Sequence, residues 1–316
     1  MITYLDFEKP VAELQARIKE LKALRGNGAA NIDAEVSKLE AKVDAQLAAI
    51  YGKLTPWQKT QVARHPARPH FKDIAAALVT DFTPLGGDRK FGEDVAIIGG
   101  PARFRGRPVM VMGHEKGSDT ASRLKHNFGM AKPEGYRKAV RLMEMADRFR
   151  LPVLTFVDTS GAFPGIQAEE RGQAEAVARG TEACLALGVP MVASIVGEGG
   201  SGGALALSAA NRILMFEHAV YSVISPEGCA SILWRTADKA ADAAAAMKQT
   251  AQDLKALGLI DVIVPEPTGG AHRSPGAALK ALGDAVDAEL TAMQGMDAAT
   301  LRDARRAKFL AMGRAA

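Results

Sequence analysis

Apolar positions recur in two rhythms along the chain, and the change between them divides it. From residue 8 to 50 the spacing is helical. Val11, Leu14, Ile18 and Leu21 fall three and four apart, Gly26-Asn27-Gly28 interrupts, and Ile32, Val36, Leu39, Val43 and Leu47 resume the stripe. This predicts a helical hairpin whose apolar faces pack against protein, either the chain's own core or a partner. Thr55-Pro56 has the character of an N-cap and a first helical residue, opening a short helix that carries Trp57. Residues 64–90 are basic and proline-rich and end in a glycine-bearing turn, Leu85-Gly86-Gly87-Asp88-Arg89-Lys90.

From residue 94 short β-rich runs take over. Residues 94–113 predict two strands joined at Arg105-Gly106. A helix from Pro133 to Arg150 and a strand at 152–157 follow, then a helix over 167–187, a strand at 190–196 and a helix opening near Ser201. Strands within 213–224, a helix at 226–234, one long Ala-rich helix at 237–257, a strand at 260–264 and helices at 276–293 and 297–311 complete the reading. Strands alternating with helices predict an α/β fold, and paired strands with helices between them also suit a β-β-α spiral. Three parts are expected: an N-terminal helical arm (1–85), a core (86–270) and C-terminal helices (271–316).

Two segments within the core share a design. The apolar run Pro190 to Val196 empties into Gly197-Glu198-Gly199-Gly200-Ser201-Gly202-Gly203-Ala204, and the run from Pro152 empties into Asp158-Thr159-Ser160-Gly161-Ala162-Phe163-Pro164-Gly165. Aligning Pro152 with Pro190 aligns Gly161 with Gly199 and Gly165 with Gly203, a constant offset of 38. Strand, bare-backbone loop and helix N-terminus in succession make a place for negative charge, because first-turn N–H groups lack intrahelical acceptors and sit at the positive end of the helix dipole. Neighbouring strands would set the two loops side by side, able to aim N–H groups at one oxygen.

Composition narrows the chemistry. Hydrophobic residues make up 47% of 316 positions, ample for a core, yet no apolar run approaches the roughly 18 residues of a membrane span. The N-terminus shows no basic-then-apolar secretory pattern, and Cys184 and Cys229 stand alone, which fits a reducing cytoplasm and offers no zinc site. The net charge of +4 suits an anionic ligand or carrier partner, while 5% aromatic content speaks against a base-stacking nucleic-acid binder.

Shorter patterns compete for the second loop. Gly197 to Gly202 matches G-x-G-x-x-G, with Glu217 near the spacing of a ribose-binding acid, but lies deep in the chain rather than opening a βαβ half. Gly199-Gly-Ser201-Gly-Gly203 matches G-x-S-x-G, for which Glu217 or Asp238 with His272 would complete a triad. Glu198, Glu169 and Glu170 are acid–base candidates, though the last two suit the first turn of their helix. His114, His126, His218 and His272 are scattered, and Arg103, Arg105, Arg107, Lys116, Arg123, Lys125 and Lys132 form a basic zone whose default is a solvated face.

Longer strings outweigh these patterns. Asn127-Phe-Gly-Met130, Pro133-Glu-Gly-Tyr-Arg-Lys-Ala139, Asp158 to Gly165, Ala168-Glu-Glu-Arg-Gly-Gln173, Gly197 to Ala206, Tyr221 to Trp234 and Pro265 to Arg273 occur in order. With them the chain resembles the alpha-subunit family of bacterial acetyl-CoA carboxylase carboxyltransferases, essentially end to end; Ser160 stands where that family often has proline. The resemblance implies a crotonase-like spiral fold and a beta subunit of the same fold, in an alpha2beta2 assembly, that carries the family's zinc ribbon. It implies transfer of a carboxyl group from carboxybiotin, on a biotin carboxyl carrier protein charged by a separate biotin carboxylase, to acetyl-CoA, giving malonyl-CoA for fatty-acid synthesis. Two oxyanions then need stabilising, one on the ureido group and one on the thioester, and neither requires a dedicated side-chain base. Backbone N–H groups of Gly202 and Gly203 are the expected oxyanion hole, with Gly161, Phe163, Pro164, Gly165, Gly199, Gly200, Ser201 and Ala204 lining the substrate. No metal is expected on this chain, and no nucleic acid or membrane among its partners. A self-sufficient acyl-CoA hydratase or isomerase and a non-catalytic scaffold subunit are the alternatives.

Overall fold

The computed structural model describes residues 3–23 and 30–313, so the Gly26-Asn27-Gly28 break lies outside the described residues. Two helices, α1 (Lys9–Ala23) and α2 (Ala30–Tyr51), form the hairpin that the helical spacing predicts. Val11, Ile18, Val36, Val43, Leu47 and Tyr51 bury against one another, with Leu14, Leu21, Ile32 and Leu39 packed around them. The two apolar stripes are thus used on each other. The arm is tied down at its base by Glu8, fully buried, which accepts from Arg273 (2.7 Å) and from the Tyr51 hydroxyl (3.1 Å).

Helix α3 (Pro56–Ala63) opens as its sequence suggests, with Thr55 Oγ1 accepting the Gln58 N–H. Helix α4 (Phe71–Leu78) buries Phe71, Ile74 and Ala75 in the main core, and β1 (Val79–Thr80) joins the main sheet. Within the first 85 residues, the α1–α2 hairpin and Val62 of α3 share a hydrophobic cluster apart from that core, which α4 joins.

One eight-stranded sheet organises the rest. Strands β2 (Ile97–Phe104) and β3 (Arg107–His114) form a hairpin whose turn residues, Arg105 and Gly106, both take positive φ (48° and 80°), the twist-compatible hairpin turn. Next come α5 (Thr120–Lys125), α6 (Pro133–Phe149), β4 (Val153–Thr159), α7 (Ile166–Glu170), α8 (Gln173–Ala186), β5 (Met191–Gly200), α9 (Ser201–Leu205), β6 (Arg212–Phe216) and β7 (Val220–Ser222). The chain closes with α10 (Pro226–Trp234), α11 (Ala240–Ala246), α12 (Ala251–Ala256), β8 (Val262–Val264), α13 (Pro275–Ala292) and α14 (Ala298–Ala311). In space the strands run β1-β2-β3-β4-β5-β6-β8, antiparallel through β3 and parallel beyond it, with β7 beside the end of β5. β4 and β5 are buried along their whole length, as parallel strands covered on both faces must be.

Two predicted helices are broken. The helix expected over 167–187 divides into α7 and α8 at Gly172, which takes φ +80°. The Ala-rich helix expected over 237–257 divides into α11 and α12. Gln249 reaches Thr60 Oγ1 (3.0 Å), its carbonyl accepts the Tyr221 N–H (3.0 Å), and Thr250 caps α12 by accepting from Asp253 N–H. Tertiary hydrogen bonds and a cap there override alanine's helix propensity.

Candidate functional site

The parallel strands β4 and β5 deliver both glycine loops to one edge of the sheet. From Val153↔Met191 to Val157↔Ile195 their register keeps the 38-residue offset seen in the sequence, then jumps so that Thr159 faces Gly199. The loops therefore lie side by side, and they touch. A Cβ on Gly200 would sit 2.2 Å from the Ser160 carbonyl, and one on Gly203 would sit 2.7 Å from the Ala162 nitrogen and the Tyr136 hydroxyl. Backbone packs on backbone here, which only glycine permits.

At the start of α9, Gly202 and Gly203 occupy the first turn, where N–H groups find no intrahelical acceptor, and among the described residues no loop carbonyl accepts from them. Ser201, just before them, is exposed, takes φ +53°, and its hydroxyl makes no hydrogen bond among the described residues. Facing them, Gly161 takes φ +145° and its N–H donates to Thr159 Oγ1 (3.1 Å). The Cβ direction of Gly161 faces the second loop, with Gly200 O and Ser201 Cβ at van der Waals distance, both 3.9 Å from where its side chain would begin.

The other expected site residues lie in and around the two loops. Gly199 is buried and makes room for the Tyr221 ring, Ala204 is buried and its carbonyl accepts from Ser208, and the Phe163 ring folds back over Gly165 with Lys132 Nζ 5.1 Å from its centroid. Phe163 is fastened at both ends, its N–H donating to Ala131 O (3.0 Å) and its carbonyl accepting from Gln173 Nε2 (3.0 Å). Pro164 is exposed.

Beside the loops a polar cleft of about 310 Å³ opens at the C-terminal ends of β3, β4 and β5, lined among others by Arg64, His70, Lys116, Arg123, Asp158 and Glu198. Lys116 Nζ lies 2.7 Å from Asp158 Oδ1 and 3.7 Å from Glu198 Oε2. Arg64 grips Glu198 Oε1 with two nitrogens (2.7 and 2.9 Å) and also holds Glu227 of α10. Burial alone would raise the Asp158 carboxyl, but Lys116, His70 and the Glu198 amide outweigh it and hold the group well below the usual carboxylate range. Burial drives His114, on the same strand end as Lys116, down to about 4, so it is neutral at physiological pH. The segment 64–70 also sends Arg68 to Val196 O (2.8 Å) and to Glu266 (2.8 Å), a pair almost wholly buried; burial opposes the Glu266 carboxylate, but Arg68 brings its pKa down to about 2.

The sequence patterns for other chemistries come apart in space. His272 stacks on His65 (3.9 Å between centroids) and Glu217 accepts the Glu266 N–H (3.2 Å), so neither shares a hydrogen bond with Ser201. Glu169 lies in the short α7 and Glu170 ends it. The basic zone disperses, with Arg103 pairing with Asp81 and Lys132 over the Phe163 ring. Arg105 and Arg107, at the β2–β3 turn, pair with Asp284 and Asp287 of α13, while Lys116 and Arg123 line the cleft. Arg64, His70, Lys116 and Asp158 were not singled out as a cluster by sequence reasoning. The visible signal was the basic, proline-broken run at 64–70 and the Asp that opens the first loop string.

Comparisons with known proteins give the family and the fold. The family described as acetyl co-enzyme A carboxylase carboxyltransferase-like matches residues 4–313. The chain is 70% identical over 313 residues to the acetyl-coenzyme A carboxylase carboxyl transferase subunit alpha of Rhizorhabdus wittichii, covering 99% of this chain and 100% of that protein. It is 67% identical, with the same coverage, to the subunit of the same name from Zymomonas mobilis. Among solved structures, a Pseudomonas malonate decarboxylase hetero-tetramer in complex with coenzyme A aligns with a TM-score of 0.56 at 19% identity, over 68% of this chain and 86% of that one. Transcarboxylase 12S aligns at 0.55 and 21% identity, over 67% and 41%. These neighbours share the crotonase-like fold that the resemblance implies. No helix among the described residues is long and apolar enough to cross a membrane. Matched from end to end by the family and by relatives of its own length, the chain belongs to the alpha subunits of the acetyl-CoA carboxylase carboxyltransferase family.

Proposed function

We propose that the chain supplies one half of a carboxyltransferase site, acting with a beta subunit of the same fold in an alpha2beta2 assembly. The reaction moves a carboxyl group from carboxybiotin, presented by a biotin carboxyl carrier protein and regenerated by biotin carboxylase, to acetyl-CoA. The observation that carries this reading is the contact of two glycine loops at the edge of a parallel sheet, in a chain whose whole length matches the family. Carboxybiotin, when bound, supplies the carboxyl group in an activated form.

This chain's residues bind and polarise. The first-turn N–H groups of Gly202 and Gly203 stabilise an oxyanion beside the Gly161 backbone of the facing loop. Ser160, Gly161 and Gly200 form the wall, and Phe163 holds the first loop in place from behind. No side-chain base is required of this chain, in keeping with two glycine loops whose neighbouring carboxylates, Asp158 and Glu198, are tied to Lys116 and Arg64. A partner is supported by the exposed apolar run Ile232-Leu233-Trp234 at the end of α10 and by Val223, 81% exposed, ahead of the same helix. The finer assignments of substrate side, with biotin here and the thioester largely on the beta subunit, follow the family resemblance.

Carboxyl transfer to acetyl-CoA by the purified chain alone, and then after mixing with the beta subunit, tests the reading. Malonyl-CoA appears only in the mixture. Substantial transfer by the single chain removes the half-site claim, and turnover of an enoyl-CoA by the chain alone favours a self-sufficient hydratase.

A further inference from the structure

We infer that Asp158 is a positioning residue for the oxyanion loop: its carboxylate, fixed by Lys116, sets the register jump that brings Gly200–Gly203 against Ser160–Ala162. The inference rests on the reading of Gly202 and Gly203 as oxyanion donors.

Between the paired residues Val157↔Ile195 and Thr159↔Gly199, β4 has one residue, Asp158, and β5 has three, Val196, Gly197 and Glu198. Two extra residues must be absorbed without leaving backbone groups unpaired. The Asp158 side chain does this by standing in for a ladder carbonyl, its Oδ1 accepting the Glu198 N–H at 2.9 Å. The carboxylate fills the side-chain space of residue 197, since a Cβ on Gly197 would lie 2.4 Å from Asp158 Oδ1. Only glycine at 197 leaves room for it.

The charge is held from one side and the bulge from the other. Lys116 Nζ sits 2.7 Å from the same Oδ1 and bridges toward Glu198. Glu198, carried on the bulge, is gripped by Arg64, which also binds Glu227 and so ties the end of β5 to α10. Asp158 itself is 3% exposed, so its charge depends on these partners more than on bulk water. Two residues after Glu198 comes Gly200, which stacks on the Ser160 carbonyl, and three more bring Gly203 against Ala162. A slip at the bulge would carry the donors of α9 away from the Gly161 backbone, and a misplacement of about 1 Å is enough to cost a hundredfold in rate.

Asp158→Asn, assayed in the complex with the beta subunit, keeps the shape and an acceptor for the Glu198 N–H but removes the charge facing Lys116. Turnover is expected to fall about tenfold, and about a hundredfold in Asp158→Ala, from the loss of a charged hydrogen bond. The KM for acetyl-CoA stays within about twofold, because an interaction that only orients the transition-state donors acts on kcat. Adding Lys116→Met to Asp158→Asn costs less than Lys116→Met alone, since the pair acts as a unit. Amide exchange in Asp158→Asn rises at residues 197–203 and stays unchanged at 153–157. Unchanged exchange at 197–203 overturns the positioning role. Faster exchange there with full turnover leaves the register role standing and overturns its link to the oxyanion donors. If Asp158→Ala does not fold, Asp158→Asn alone decides between these outcomes.

Discussion

The N-terminal hairpin and the paired glycine loops both hold two chain segments together, and they do so by opposite means. In the hairpin, side chains do the work. Val11, Ile18, Val36, Val43 and Leu47 bury against each other over many turns, so the energy is spread among contacts of which none is indispensable. In the loops there are almost no side chains to pack. Gly200 lies on the Ser160 carbonyl and Gly203 on Ala162, and the fit rests on absent Cβ atoms and on one buried ion pair, Asp158 with Lys116. The hairpin should therefore lose stability gradually under substitution while the site is unaffected, and the loops should lose function abruptly while much of the fold persists.

The largest effect tests the loops directly. Gly200→Val drives a branched side chain into the Ser160 carbonyl, 2.2 Å from its first atom. Turnover of the reconstituted complex is expected to fall at least about a hundredfold. Near-normal turnover would show that the loop contact is dispensable.

The arm's sharpest point is its anchor. Glu8→Gln removes the carboxylate that Arg273 and Tyr51 share at the base of the hairpin. Breaking a buried pair of this kind costs about 3 kcal/mol, expected here as a lower unfolding midpoint and faster proteolysis of the first 50 residues. Carboxyl transfer with the beta subunit should change less than about threefold, and a loss as large as that of Gly200→Val would erase the contrast between the two regions.

Acid separates the regions as well. His114, buried at the strand end beneath the cleft, has its folded pKa lowered to about 4 from 6.5, so the unfolded chain binds the proton first. Its contribution is present above pH 6.5 and is lost as pH falls toward 4, by up to about 3 kcal/mol. Glu266, held down to about 2 from 4.5 with Arg68 overcoming its burial, contributes stability above pH 4.5 that is lost between there and pH 2. Melting followed from pH 7 to pH 4 should show a fall in midpoint that His114→Asn makes shallower. An unaltered slope would place the acid sensitivity elsewhere.

The smallest effect concerns Ser201. Its hydroxyl has no hydrogen bond to lose among the described residues, so Ser201→Ala should change turnover less than about threefold. Ser201→Gly relieves its left-handed backbone and should stabilise the chain by about 0.5–1 kcal/mol in thermal unfolding. Loss of activity in Ser201→Ala with fold and assembly intact would revive a serine nucleophile.

The sequence made these regions legible to different degrees. The hairpin could be read because its packing is periodic, and periodicity is local. The strand register could be read as far as Val157↔Ile195, because two similar strand–loop units repeat with one offset. Beyond that point the register depends on Asp158, Lys116 and Gly197, which come from three separate places in the chain and meet only in the fold. The cleft was hidden for the same reason: Arg64 and Glu198 are 134 residues apart. The broken Ala-rich helix shows the complementary failure. Its composition favours continuity, but Gln249 and Thr250 spend their hydrogen bonds on Thr60, Tyr221 and Asp253. The cap pair Thr250 and Asp253 was readable in advance; the contacts to Thr60 and Tyr221 were not.

The backbone of α9 carries the central claim, and Gly203→Val tests it by displacing that backbone from Ala162 and the Tyr136 hydroxyl without removing a charged group. Turnover and affinity for the beta subunit should be measured on the same preparation. Turnover is expected to fall about a hundredfold to a thousandfold, the scale of a lost oxyanion donor, with affinity within about threefold of the parent chain. A folded, assembled Gly203→Val complex that turns over at the parent rate would contradict the account.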